Sequence, residues 1–180
     1  MITVRDKEFD LRPADPKKDL DWAYGLFKQS LHDFVEELAG AWPETGAYEF
    51  FSEGFCHMPI KMLMHDGDPI GFFGIMEEEK RVTVQRMYLA PAWRGAGLGG
   101  WIIGETLKVA HRAQKPFETE VLVNNKPAMA FYEHMGFAIV GADDDGLVKL
   151  HVIRHRDTES YVLPRNISSQ SAPVGDIFDR

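Results

Sequence analysis

Length, composition and charge restrict the kinds of protein that this chain can be. It has 180 residues, 44% hydrophobic and 27% charged, which suits one soluble domain with a sizeable core. The net charge of −8 argues against nucleic-acid binding, and no apolar run is long enough to span a membrane. Cys56 is the single cysteine, so no intramolecular disulfide forms, and the charged residues 1–7 are not typical of a signal peptide. We therefore expect a cytoplasmic protein with neither nucleic-acid nor membrane partners.

The first half of the chain predicts one strand, two or three helices and then three strands. Its first elements are a strand over 8–12, a helix from Pro16 to about Ala39 with a possible break at Gln29–Ser30, and a short helix capped by Thr45 that runs to Phe55. Apolar runs over 59–65, 69–77 and 82–89 follow, with turn residues between them. Three consecutive antiparallel strands are the expected result.

The second half alternates helices and strands. It predicts a helix from Leu98 to about Gln114, a strand over 117–123, a helix over 126–135, and a hairpin of 138–141 and 146–154 across the turn 142–145. The polar residues 157–180 predict a loosely packed or partner-docked tail, which can also serve a homodimer contact. We expect an α+β fold: one domain over 1–156 with a mixed central sheet of about seven strands. The link from strand 82–89 to strand 117–123 is long enough for a parallel crossover.

The most informative stretch is Arg94-Gly95-Ala96-Gly97-Leu98-Gly99-Gly100, which lies between a strand and a helix. Glycines let the backbone approach a ligand closely, and the first turn of a helix has N–H groups without intrahelical partners. Because the helix N-terminus also carries a partial positive charge, this junction predicts a site for a phosphate or pyrophosphate.

Several interpretations of this loop compete. Gly95-x-Gly97-x-x-Gly100 matches the dinucleotide fingerprint, with Glu118 and Glu120 about twenty residues on. Against it, the glycines do not follow their strand directly, antiparallel strands precede them, and only one crossover of suitable length exists. No Lys-Ser or Lys-Thr follows the glycines, so a P-loop is excluded. A glycine-rich helix cap without any ligand is the structural alternative.

Two segments resemble signatures of the GNAT superfamily of N-acetyltransferases. Residues 87–99 resemble its acyl-CoA signature Q/R-x-x-G-x-G/A, with Arg94, Gly97 and Gly99 at the fixed positions. Residues 125–137 are similar to its second signature, N-x-x-A-x-x-x-Y-x-x-x-G-F. The resemblance spans roughly 60–155. Residues 1–58 share only the order of elements, and the tail shares nothing.

The resemblance implies how acetyl-CoA binds. The pyrophosphate site comprises Arg94, Gly95, Ala96, Gly97, Leu98 and Gly99, through their main-chain N–H groups. Main-chain groups of Met87 and Leu89 pair with the pantetheine arm, and strands 82–89 and 117–123 splay to admit it. Asn125 matches a position that often contacts CoA, although it can equally cap the following helix. Acetyl-CoA is the expected co-substrate, and no metal is expected.

The resemblance also implies a catalytic acid, Tyr132, which would protonate the departing thiolate. The general base stays open because strand 82–89 has no carboxylate. The candidates are Glu53, His57, Glu36, His32, His65 and a water chain. We expect an N-acetyltransferase acting by direct attack of a primary amine, on a small molecule or a protein. Segment 30–55 is the expected source of acceptor specificity. The alternatives are a non-catalytic acyl-CoA-binding sensor or regulatory module and, more remotely, a nucleotide-dependent oxidoreductase.

Overall fold

The computed structural model describes residues 1–144 and 149–161, which form four α-helices and eight strands. In chain order the elements are β1 (Ile2–Val4), β2 (Lys7–Pro13), α1 (Pro16–Ala39), α2 (Glu44–His57), β3 (Ile60–His65), β4 (Asp68–Glu77), β5 (Val82–Leu89), α3 (Leu98–Ala113), β6 (Glu118–Leu122), α4 (Lys126–His134), β7 (Phe137–Asp144) and β8 (Lys149–His155). The three antiparallel strands expected before the glycine loop are β3, β4 and β5, and the expected α+β class is confirmed.

The described strands form two antiparallel sheets that are joined into the expected mixed central sheet. Their orders are β1-β2-β3-β4-β5 and β6-β8-β7. Among the described residues a single parallel bridge, Val82 to Phe117, joins them, and the Val82 N–H donates to Pro116 O at 2.8 Å. Thr119 Oγ1 adds a hydrogen bond to Val84 O at 3.0 Å, after which β5 and β6 have no pairing in the described chain. The crossover is parallel, and the strands separate toward their C-terminal ends, as expected.

A bulge in β5 changes which side chains face which core. Arg86 and Met87 together stand opposite Phe73 of β4, and Arg86 has a φ of +54°. Val84, before the bulge, and Met87, after it, both pack in the core beneath α3. Tyr88 packs in the other core, beneath α1 and α2. Side chains of β5 alternate between the two cores, and the bulge shifts this alternation by one residue near the point where the two sheets separate.

Helix α1 is long and unbroken, so the possible break at Gln29–Ser30 does not occur. Asp15 accepts a hydrogen bond from the Lys17 N–H at 3.1 Å at its start, and Gly40, with a φ of +83°, ends it. Its 24 residues extend about 36 Å. It therefore reaches from the first sheet, where Phe27 packs, to the second, where Val35 packs with Leu122.

Three local expectations differ from the structure. Thr45 does not cap α2, because the helix begins at Glu44 after Pro43 and no side chain caps it. Residues 142–144 continue β7, so the hairpin turn comes later and lies outside the described residues. The strand β1 was not expected at all, since its three residues carry too little pattern to predict.

The first residues of the expected tail pack on the domain. Arg156–Tyr161 form a 3₁₀ helix in which Thr158 is buried, and its Oγ1 accepts from the Phe117 N–H at 3.0 Å. Tyr161 OH lies 2.9 Å from Nδ1 of His111 on α3. The folded part therefore extends past residue 156 to at least Tyr161. The rest of the expected tail, 162–180, lies outside the described residues.

Candidate active site

The glycine loop presents a group of main-chain N–H donors that no described residue accepts from. A 3₁₀ turn over Pro91–Trp93 follows β5, and Gly97, at a φ of +90°, precedes α3 without any side-chain cap. The Ala96 N–H makes a long bond of 3.4 Å to Trp93 O. Within the described part of the chain, the N–H groups without an acceptor at the loop and the start of α3 are those of Gly95, Gly97, Leu98, Gly99 and Gly100. Together with the helix N-terminus they can hold an anion.

Tight packing fixes the shape of this loop. A Cβ at Gly97 would lie 3.1 Å from Val4 and from Nε of Arg5, and a Cβ at Gly99 would lie 3.0 Å from the Phe131 ring. Arg5 Nη1 also donates to Gly95 O at 2.9 Å. Arg5 was not a candidate in the sequence, because it is 90 positions away and belongs to the turn after the unexpected β1. Its guanidinium adds a positive charge beside the donors.

Arg94 ties the end of β5 to α1. Its Nε donates to Leu89 O at 3.1 Å and its Nη2 donates to Ser30 Oγ at 3.2 Å. Met87 and Leu89, the expected pantetheine partners, are partly buried at the edge where β5 leaves β6. The structure therefore brings Leu89 and Arg94 together, with the Arg94 side chain directed to β5 and α1.

Asn125 caps α4. Its Oδ1 accepts a hydrogen bond from the Ala128 N–H at 3.1 Å, and Pro127 is in the first turn. This is the capping role that the sequence offered as one alternative. The contact with CoA stays a prediction.

Tyr132 is the buried residue of α4 and packs in the core beneath α3. Its side chain is 8% exposed and packs edge-on to Phe131 and Phe137. Among the described residues no group hydrogen-bonds its hydroxyl. Burial raises the pKa of Tyr132, and the phenol of Tyr88 raises it further. Tyr132 therefore carries a protonated hydroxyl that no described residue hydrogen-bonds and that lies close enough to Tyr88 for their phenols to interact electrostatically.

Two side chains of β5 are electrostatically linked to Tyr132: Tyr88 interacts with it directly, and Arg86 interacts with Tyr88. Tyr88 packs against Phe27 of α1 and Phe72 of β4. Burial raises the pKa of Tyr88 to about 12, against the opposing effect of the Arg86 charge. Tyr88 was not a candidate in the sequence, because alternation from Val84 would place its side chain in the core beneath α3. A positive φ at Arg86 leaves no signal in the sequence.

A pocket of about 330 Å³ lies between α1 and the end of β5. Its lining residues are Asp21, Trp22, Gly25, Leu26, Gln29 and Ala90. Ala90 directly follows Leu89, so this pocket borders the edge of β5 where pantetheine is expected.

The base candidates lie away from the two tyrosines. His57 Nδ1 is 2.7 Å from Glu53 O on the exposed end of α2, and His65 Nδ1 is 3.0 Å from Glu8 O. His32 stacks on Trp42 and bonds Asp33, and Glu36 is exposed. Within the described ranges none of the five candidates hydrogen-bonds or stacks on Tyr88 or Tyr132. Ligand atoms of His32, Asp33 and Glu36 come within 4.8 Å of one another, which is close enough for a metal ion, on the surface of α1.

Comparisons with known proteins agree with this architecture. The sequence profile of the Acetyltransferase (GNAT) family matches residues 27–137, more than half of the chain. An uncharacterized N-acetyltransferase of Methanocaldococcus jannaschii is 28% identical over 129 residues, 61% of this chain and 57% of that protein. The peptidyl-lysine N-acetyltransferase YjaB of Salmonella typhimurium is 27% identical over 116 residues, 64% and 72% of the two chains. The chain thus spans little more than half of the first relative.

Solved structures share the fold. The apo form of YjaB from Escherichia coli superposes with a TM-score of 0.66 at 18% identity, covering 83% of this chain and 99% of that one. An N-acetyltransferase of Thermoplasma acidophilum in complex with coenzyme A gives a TM-score of 0.59 at 16% identity, with the same coverage.

No helix among the described residues has the length and apolar character needed to cross a bilayer.

Proposed function

Since the chain belongs to the GNAT acetyltransferase family, we propose that it is an N-acetyltransferase that moves an acetyl group from acetyl-CoA to a primary amine. The observation that carries the proposal is the position of Tyr132. Its side chain is buried, its hydroxyl has no hydrogen-bond partner among the described residues, and it interacts electrostatically with Tyr88 near the end of β5, beyond which the glycine loop begins.

The glycine loop holds the pyrophosphate of acetyl-CoA in this proposal. Gly95, Gly97, Leu98 and Gly99 offer N–H donors, and Arg94 secures the end of β5. The Thermoplasma relative, solved with coenzyme A, supports a CoA ligand for this fold. The pantetheine arm pairs with the edge of β5 at Met87 and Leu89, because that edge lacks a strand partner after the sheets part.

The chemistry is direct acyl transfer. The neutral amine attacks the thioester carbonyl, and a main-chain N–H near Leu89 stabilises the oxyanion. The C–N bond forms, the C–S bond breaks, and the hydroxyl of Tyr132 gives its proton to the departing sulfur. A phenol with a raised pKa is a weak acid, but a thiolate released into the same apolar surroundings is also more basic than in water.

The acceptor ammonium first loses one proton to water, and after the attack the nitrogen loses a second proton, which returns through water to the Tyr132 oxygen. Among the described residues no hydrogen bond or ring contact joins the two tyrosines to the expected bases, which are Glu53, His57, Glu36, His32 and His65. Burial raises the pKa of Tyr88 to about 12, so its phenol is protonated at neutral pH and cannot accept the proton. The acceptor is an amine of a small molecule or of a protein. The name of the Salmonella relative, a peptidyl-lysine N-acetyltransferase, supports an amine acceptor. Cytoplasmic location and a homodimer remain predictions.

Thermal shifts with acetyl-CoA, free CoA and NAD(H) test the proposal first. A ligand at 100 times its Kd that binds only the folded state adds about 2.7 kcal/mol of stability. We expect both CoA species to stabilise the protein, and a shift with NAD(H) alone would contradict the proposal. Thiol release from acetyl-CoA is then measured with a panel of amines. Binding of CoA without any release would instead favour the non-catalytic sensor, which the absence of a carboxylate from β5 weakly supports.

A further inference from the structure

Arg86 is a guanidinium without an acidic partner beside the proposed site. Its Nη2 donates to Phe50 O of α2 at 3.1 Å. Its Nη1 is fully buried and has no hydrogen-bond partner among the described residues, and no carboxylate there pairs with the side chain. Burial without a counter-charge lowers the pKa of Arg86. Such a group is costly, because a buried charge is normally paired.

Neighbouring groups hold the guanidinium in place but leave Nη1 unsatisfied. Its Cζ lies 4.8 Å from the ring centroids of both Phe50 and Phe51. Cation–π contacts with the faces of these rings offset part of the burial cost. Gly54 makes room for the group, since a Cβ there would lie 2.1 Å from Nη2. The rings do not replace a hydrogen-bond acceptor, so the N–H groups of Nη1 still lack one.

The position of Arg86 connects it to the reacting groups. It lies at the β5 bulge, two residues before Tyr88, on the side that faces α2. Its charge acts on the phenol of Tyr88, which in turn acts on Tyr132. Helices α1 and α2 contain most of segment 30–55, where the sequence predicts acceptor specificity. The unpaired cation is therefore on the acceptor side of β5.

We propose that Arg86 binds a carboxylate of the acceptor, so that the preferred acceptor is an amine that also carries a carboxylate, such as a free amino acid. The proposal rests on the proposed function and specifies its substrate class. A carboxylate accepts charge-assisted hydrogen bonds from a guanidinium and supplies the missing counter-charge. The rigid position of Arg86 between two rings and Gly54 then directs the amine along β5 toward the thioester.

Matched pairs of amines test the proposal. L-leucine is compared with isopentylamine, and L-phenylalanine with phenethylamine, by thiol release from acetyl-CoA. The readout is the ratio of kcat/KM for the amino acid to kcat/KM for the amine that lacks the carboxylate. We expect a ratio of about ten or more in the wild type, since a hydrogen bond to a charged group contributes about 1.5–3 kcal/mol. In Arg86→Gln the ratio falls at least tenfold, mainly through KM of the amino acid.

The change in this ratio from wild type to variant cancels the intrinsic reactivity of each amine, because both proteins meet the same pair. Arg81→Gln is the matched control: Arg81 immediately precedes β5 but pairs with Glu78 and Glu120, and its loss should leave the ratio unchanged. If Arg86→Gln does not fold, Arg86→Lys replaces it. Lysine keeps the charge but not the planar fork, so part of the preference is retained.

A wild-type ratio near one, or a high ratio that survives in Arg86→Gln, overturns the carboxylate proposal while leaving the N-acetyltransferase intact. If no amine in either set releases thiol, the proposed function fails instead. Calorimetry with N-acetyl-L-leucine and N-acetyl-isopentylamine, in the presence of CoA, then tests whether Arg86 binds a carboxylate. Binding of the acid alone, lost in Arg86→Gln, supports the carboxylate site, and equal or absent binding overturns it.

Discussion

The two sides of the candidate site are built from different groups. The cofactor side, the loop from Arg94 to Gly99, uses main-chain N–H donors held in place by glycine conformation and close packing. The acceptor side, where β5 faces α1 and α2, uses side chains: Tyr88, Arg86 and the rings around them. One side is set by backbone geometry and the other by which residues the bulge directs toward the helices.

This difference determines how each side tolerates change. Main-chain donors survive most substitutions and fail when the backbone cannot adopt its φ. A side-chain site changes its ligand when one residue is replaced. The cofactor side should therefore be constant in function, and the acceptor side should carry the specificity of this chain. Tyr132 lies between the two, and its loss tests whether they form one reaction centre.

Tyr132→Phe should have the largest effect on turnover. Removing a general acid lowers kcat by about 100-fold or more. The hydroxyl bonds no group among the described residues, so we expect little change in the free energy of unfolding or in the Kd for acetyl-CoA. Thiol-release kinetics, urea denaturation and calorimetry measure the three quantities. An unchanged kcat would show that the two sides do not meet at Tyr132.

The pH profile sharpens the same test. Burial raises the pKa of Tyr132 above the usual value near 10, so the acid form persists throughout the range below pH 10. In the wild type kcat/KM should rise as the acceptor amine loses its proton and should not fall before pH 10. The factor by which Tyr132→Phe lowers kcat/KM should be constant over that pH range. A descending limb near neutral pH that disappears in the variant would contradict the raised pKa.

Gly97→Ala tests the backbone dependence of the cofactor side. The φ of +90° costs an alanine roughly 1–2 kcal/mol. The new Cβ also lies 3.1 Å from Val4 and Arg5, so the loop must move. We expect acetyl-CoA to bind about tenfold more weakly, with a smaller change at the acceptor side.

Gly104→Ala is the matched control for Gly97→Ala. Gly104 is in the middle of α3, and nothing lies within 4 Å of a Cβ built there. Alanine should stabilise the helix by about 0.5–1 kcal/mol without altering acetyl-CoA affinity. Equal losses of affinity in the two variants would mean that the φ of Gly97 does not shape the site.

The structure of the glycine loop was largely predictable, because glycine spacing and helix starts leave a local pattern, while its binding of acetyl-CoA stays a prediction. Residues 94–99, the parallel crossover and the cap at Asn125 all follow from short stretches of sequence. The mixed sheet was predicted as well, and the resemblance implied that β5 and β6 splay, but not that they share a single bridge. Sequence alternation gives strands but does not show how far two neighbouring strands stay paired.

The acceptor side was not predictable, for physical reasons that can be named. Alternation along β5 fails at Arg86, since a bulge adds one residue and exchanges the two faces. The contact between Arg86 and Phe50 joins residues 36 positions apart, and no local pattern records it. Arg5 escaped notice for the same reason, because it meets Gly95 across 90 positions.

Two substitutions of Asn125 distinguish its role as the cap of α4 from a role in CoA binding. Asn125→Ala removes the cap on α4 and should lower the free energy of unfolding by about 1 kcal/mol. Asn125→Asp keeps an oxygen that can accept from the Ala128 N–H, so its stability should stay near that of the wild type. If Asn125 also contacts CoA through its amide, both variants weaken acetyl-CoA binding. Unchanged affinity in Asn125→Asp would leave the cap as its role.

Arg5→Ala should have the smallest effect, and it asks whether a side chain contributes to the cofactor side at all. The variant loses the bond to Gly95 O and one positive charge beside the loop donors. Because Arg5 is exposed, we expect only about a threefold rise in the Kd for acetyl-CoA, in the range of exposed charge interactions. Screening predicts that this difference shrinks as salt increases.

Lys80→Ala, which removes an exposed cation from the turn before β5, controls for net charge. If both variants weaken binding equally, only overall charge matters. If only Arg5→Ala weakens acetyl-CoA binding, and by the same factor at every salt concentration, Arg5 acts by shaping the loop and not through its charge. The cofactor side would then bind its ligand through main-chain groups alone.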